Sequence, residues 1–77
     1  MTWNHRVVEH YNKEHDETTF NIHEIYYDDN GDIEFWTSDP VYAQGDDLVG
    51  LHNELVYMLA ACQKPVLKAT ELPGQTE

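Results

Sequence analysis

The sequence predicts an α+β domain, a three-stranded antiparallel sheet packed by one C-terminal helix in the order β-β-β-α. Three observations predict it. Residues 20–27 (FNIHEIYY) and 33–38 (IEFWTS) are runs of aromatic and β-branched residues, and the turn dipeptide Asn30-Gly31 lies between them. From Leu48 onward, Leu48, Leu51, Leu55, Met58, Leu59 and Cys62 recur at helical spacing. Pro65 then ends that run, because proline lacks the amide hydrogen a helix needs.

Each element has its own local cause. Trp3 to Tyr11 (WNHRVVEHY) carries aromatic and β-branched residues with partial alternation, which suits a first strand. Asn12 to Thr18 (NKEHDET) is a polar connection. In the second strand Phe20, Ile22, Glu24 and Tyr26 share one face, and Asn21, His23, Ile25 and Tyr27 the other. Asp39-Pro40 stops the third strand, since proline restricts the residue before it. Asp46 or Asp47 can cap the helix, where a carboxylate meets unpaired amides and the positive end of the dipole. The helix runs to about Lys64.

The expected core is Val7, Phe20, Ile22, Ile33, Phe35, Leu48, Leu51, Leu55 and Leu59. Residues 1–69 form one domain and 70–77 a frayed tail. One helix covers one face of such a sheet. The other face is left with Val8, Ile25, Tyr27 and Trp36 partly wet, and contiguous apolar surface marks an interface. With unpaired sheet edges as a further invitation, a homodimer is expected. A single cysteine, Cys62, rules out an internal disulfide and fits a reducing, cytoplasmic setting. A 77-residue chain is thinly stable alone, which also favours self-association.

Fifteen acidic against four basic residues set a net charge of -11. That field opposes direct binding of nucleic acid or of anionic lipid, both of which need Lys and Arg. A basic protein partner is attracted instead. No segment has the length and apolarity of a membrane span.

The residues that could carry chemistry do not assemble into a recognisable pattern. His5, His10 and His15 lack the local pair spacing of a zinc site, and the five histidines read as surface groups. Asp28, Asp29, Asn30, Asp32 and Glu34 fail the calcium-loop register: counted from Asp28, Gly31 falls at position four rather than six and Asp39 stands where a bidentate Glu belongs. Cys62 lies on the apolar stripe and reads as packing, and Ser38 has no glycine elbow. Arg6 is placed to pair with Glu24 across strands, a structural contact. Trp3 and Trp36 read as core or interface anchors. The expectation is a protein without catalytic residues, cofactor or metal.

The strand-strand-strand-helix order, with YAQGDDLVGLHNELVYML leading into the helix, resembles the HicB-type antitoxin fold over residues 3–63. Gly45, Asp46, Leu48 and Leu51 match that family's Gly-Asp step into an amphipathic helix. The resemblance implies a dimeric, toxin-neutralising domain. The family's DNA-binding segment and its glycine-proline-rich stretch between the second and third strands have no counterpart in these residues. WNHRVVEH, FNIHEIYYDDNG and KPVL are also similar to short uncharacterised bacterial proteins, which imply no activity.

Function is thus expected to be non-enzymatic protein binding, with Ile25, Tyr27, Trp36, Asp28, Asp29, Asp32 and Glu34 as interface candidates. The alternative is an acidic inhibitor or DNA mimic of phage type. Its carboxylates would stand in for phosphates in the basic groove of a nucleic-acid-binding protein.

Overall fold

The computed structural model describes residues 2–73. Strand β1 (Thr2–Asn12) turns through Lys13–Asp16 into β2 (Glu17–Tyr27), which pairs with it antiparallel along its whole length. Asn12 closes the turn, its Oδ1 accepting from the amides of Glu14 at 3.0 Å and His15 at 3.4 Å. Strand β3 (Ile33–Trp36) pairs antiparallel with β2, helix α1 (Leu48–Ala61) follows, and β4 (Leu67–Lys68) precedes a 3₁₀ turn, Ala69–Glu71.

The class is α+β with one helix, and the sheet is a curled, mixed one of four strands in the order β3-β2-β1-β4. The expected three strands are therefore joined by a fourth, parallel to β1 through Val8↔Leu67 and Glu9↔Lys68. Two residues between Pro65 and the 3₁₀ turn carry no periodicity to read, so only the neighbouring edge of β1 makes them a strand.

The β2–β3 hairpin is wider than a two-residue Asn-Gly turn. Gly31 takes φ +85° while Asn30 stays at negative φ. Asp28 organises the loop: its amide donates to the Asp32 carbonyl at 2.8 Å, and its Oδ1 accepts from the amides of Asn30 (2.9 Å) and Asp32 (3.0 Å). A short polar side chain bonding back to its own turn is the usual device here. The pairing slips between Tyr26 and Tyr27, so β3 enters with a bulge.

The core lies on the face expected to be open. Val8, Ile25 and Trp36 form it, packed by Tyr27, Ile33, Leu67, Ala69 and Leu72. The C-terminal segment crosses this face, and Trp36 Nε1–H donates to the Pro73 carbonyl at 2.7 Å. Ile25 and Trp36 are thus buried within the chain itself, and of residues 70–73, expected to fray, Leu72 packs on the core and the Pro73 carbonyl holds Trp36. Of the tail, residues 74–77 lie outside the described residues.

The opposite face is the helix side and is only partly closed. Val7 is buried there, Ile22 half-buried, and Phe20 exposed. Helix α1 begins at Asp47, whose Oδ1 accepts from Gly50 N–H at 2.7 Å. Gly45 is required just before it: a Cβ there would stand 2.4 Å from the backbone nitrogen of Leu51. The helix turns Leu51, Glu54, Met58 and Ala61 inward, and Ala61 is fully buried. Leu48, Leu55 and Leu59, expected in the core, point outward, and Cys62 is exposed. At 100° per residue the inward line is about a quarter-turn away from the centre of the apolar stripe.

Arg6 does not meet Glu24. Its register partner is His23, while its guanidinium donates to Tyr27 Oη at 3.2 Å and to the Pro65 carbonyl at 2.7 Å. Glu24 lies opposite His5 on the other face and accepts from Tyr26 Oη–H at 2.5 Å. That carboxylate holds the Tyr26 phenol above its ordinary pKa, since ionising it would put two negative charges together.

Candidate functional site

The outward face of α1 is the principal candidate. Leu48, Val49, Leu55, Val56 and Leu59 are each about half exposed or more, and Tyr57 adds an exposed ring at the edge. Between them the helix presents His52 and no Asp, Glu, Lys or Arg. On a chain with net charge -11, a charge-free apolar strip of this kind stands apart from the rest of the surface. Helical spacing predicts Leu48, Leu55 and Leu59 as core because periodicity does not say which way a stripe points, and Val49 and Val56, outside that spacing, join them on the exposed face.

A cleft of about 530 Å³ opens beside it, between α1 and the start of β1, lined by Trp3, Asn4, His5, Glu54, Tyr57, Ala60 and Lys64. His5 is buried at its floor, with Trp3 set edge-on to it at 5.4 Å between ring centroids. His5 Nε2 lies 3.7 Å from Glu54 Oε1, beyond hydrogen-bond length, so the pair is an ionic contact only when the imidazole is protonated. The lining has aromatic walls and both signs of charge, and no hydroxyl or thiol nucleophile other than the Tyr57 phenol. His5, expected at the surface, is buried here, and Glu54 carries no local signal, since a polar residue on the inward line of the helix stands out only once that line is known.

The histidines are not all surface groups. His5 and His23 are buried, and His23 is only 1 % exposed. On the face away from the helix, His10 and His23 bring their Nε2 atoms within 3.0 Å, with the Trp36 ring 5.9 Å and 5.0 Å from the two imidazoles. Burial is the main force lowering the His23 pKa below its ordinary 6.5, and His10 adds to it; the Thr37 carbonyl and Asp39 act the other way. Among the described residues no three His, Cys, Asp or Glu side chains converge as a metal site would need.

The expected interface residues separate into two groups. Ile25 and Trp36 are closed off by the C-terminal segment, and Tyr27 is half-buried with its Oη–H donated to Asn4 Oδ1 at 2.8 Å. Asp29, Asp32 and Glu34 remain on the surface of the hairpin, with Asp28 half-buried and engaged in the turn. The acidic hairpin and the apolar strip of α1 are therefore separate features on different elements. Among the described residues no helix is long and apolar enough to cross a membrane. No protein-family model, no curated protein and no solved structure matches this chain.

Proposed function

We propose that this chain is a non-enzymatic, HicB-like protein-interaction module that dimerises through the outer face of α1 and meets a basic protein partner with its acidic surface. The exposure of Leu48, Val49, Leu55, Val56 and Leu59 carries the reading. Two like-charged copies repel each other over most of their surfaces, and the strip is where they can approach without stacking carboxylates. Burying it removes apolar area from water at about 25 cal/mol per Å². Asp29, Asp32 and Glu34 are exposed on the hairpin, a different element from the strip, and supply the attraction for a basic partner.

Sedimentation equilibrium at tens of micromolar tests the dimer. The wild-type chain is expected at twice the monomer mass, and a Leu55→Glu/Leu59→Glu variant at the monomer mass with its far-UV circular dichroism unchanged. A wild-type monomer sinks the proposal.

A further inference from the structure

We propose that His10 and His23 form a proton latch that holds the C-terminal segment, Leu67–Pro73, over the sheet and releases it when the pair takes up its second proton. The inference stands on the face opposite the α1 strip and does not depend on the dimer.

The tautomers follow from the partners. His23 Nδ1 is 2.9 Å from the Thr37 carbonyl, which can only accept, so Nδ1 carries a hydrogen. In neutral His23 the other nitrogen, Nε2, is then a lone pair. It lies 3.0 Å from His10 Nε2, so His10 must be the donor. A first added proton goes to the remaining nitrogen of His10, its Nδ1, and leaves the Nε2–H···Nε2 bond in place with charge assistance. A second added proton has only His23 Nε2 to occupy. Two N–H groups and two positive charges then face each other across 3.0 Å, and the contact cannot persist.

The break is transmitted through Trp36. Its ring packs against both imidazoles, and its Nε1–H holds the Pro73 carbonyl at 2.7 Å. Little else fastens the segment: a two-residue ladder on β1, one 3₁₀ turn packed against β1, and the side chains of Leu67, Ala69 and Leu72 on the core. Few backbone bonds and little buried area place such a piece at the low end of local stability. His10 is the half-buried member and is the one free to swing outward, while His23 stays tied to Thr37. Release uncovers Val8, Ile25 and Trp36, now fully shielded or nearly so.

The other charged groups around the pair do not remove the conflict. From β1, Arg6 is the register partner of His23 and adds positive charge, its guanidinium turned to Tyr27 and Pro65. From the segment after β3, Asp39 favours the protonated form of His23. From the C-terminal segment, Lys68 and Glu71 are both exposed to solvent. One carboxylate against Arg6 and a second imidazolium leaves the doubly protonated pair disfavoured.

Hydrogen exchange on the full chain, read by mass spectrometry at pH 7.5 and 5.0 and corrected for intrinsic rates, tests the latch. Opening of residues 67–73 is expected to rise about tenfold for each pH unit below the second titration step, with residues 51–61 unchanged. In His10→Gln the rise is expected to vanish, because a rotatable amide can donate to neutral His23 Nε2 and accept from the protonated form. An equal rise in that variant, no rise in the wild type, or equal loosening of the helix each overturns the proposal. Should His10→Gln fail to fold, nitrogen-detected titration of the wild-type imidazoles decides: His23 Nε2 is expected to stay unprotonated until after His10 has titrated. Simultaneous, independent titration of the two rings overturns it.

Discussion

The Trp36 indole N–H donates to the Pro73 carbonyl at 2.7 Å across 37 positions of sequence, tying the last described residue to the end of β3. Trp36→Phe keeps most of the buried ring but removes this donor. The expected cost is about 0.5–1.5 kcal/mol for the lost bond, since water can reach the carbonyl of exposed Pro73. Urea unfolding measures it, and exchange of residues 67–73 is expected to quicken more than that of β1.

The choice of core face is tested by a pair of substitutions on β2. Ile25→Ala empties a fully buried site and is expected to cost about 2–5 kcal/mol. Phe20→Ala removes a larger but exposed ring and is expected to cost less than about 1 kcal/mol. Denaturant midpoints in the reverse order would mean that the two faces are exchanged.

Asp47 satisfies the first turn of α1 through the Gly50 amide. Asp47→Ala is expected to lower stability by about 0.5–2 kcal/mol, and Asp47→Asn by less, since an amide oxygen still caps. Asp46→Ala is the control, as the capping oxygen belongs to Asp47. Thermal melts followed at 222 nm separate the three.

His23 makes stability pH-dependent with a definite sign. Its folded-state pKa lies below the ordinary 6.5, chiefly through burial. Well above 6.5 both states are neutral and its contribution is whole. As pH falls through 6.5 the unfolded chain binds the proton first, so stability drops until the lower folded-state value is passed. Each unit of difference is worth about 1.4 kcal/mol. Urea midpoints between pH 8 and 5.5 are expected to fall for the wild type and to fall less for His23→Gln. Parallel curves would assign the loss to other groups.

Local chemistry was legible wherever neighbours in sequence are neighbours in space. The alternation in FNIHEIYY, the acidic turn at Asp28–Asp32 and a cap at Asp46 or Asp47 are set within a few residues, whereas α1 ends at Ala61 with Cys62 as its cap, short of the expected Lys64 and before Pro65 can act. The charge of -11 and the apolar periodicity of α1 were legible as well. Of the candidate site, the leucines of the strip and the carboxylates of the hairpin were in view, and the His10–His23 contact was not. The two rings come from positions thirteen residues apart whose backbone partners are Thr19 and Arg6, so no spacing rule brings them together.

What only the tertiary structure decided is which side of each element faces inward. A strand of period two offers two faces, and Phe20/Ile22 against Ile25/Tyr27 is an even contest until something covers one of them. Leu67, Ala69 and Leu72 settle it from beyond the helix, in a stretch with no pattern of its own. The helix is decided the same way. Packing of α1 against β1 turns the line Leu51–Glu54–Met58–Ala61 inward, with Ala61 fully buried, and leaves Leu48, Leu55 and Leu59 in water. Periodicity specifies an angle between residues along one element, whereas burial depends on the distance to another element, and that distance exists only in the folded chain.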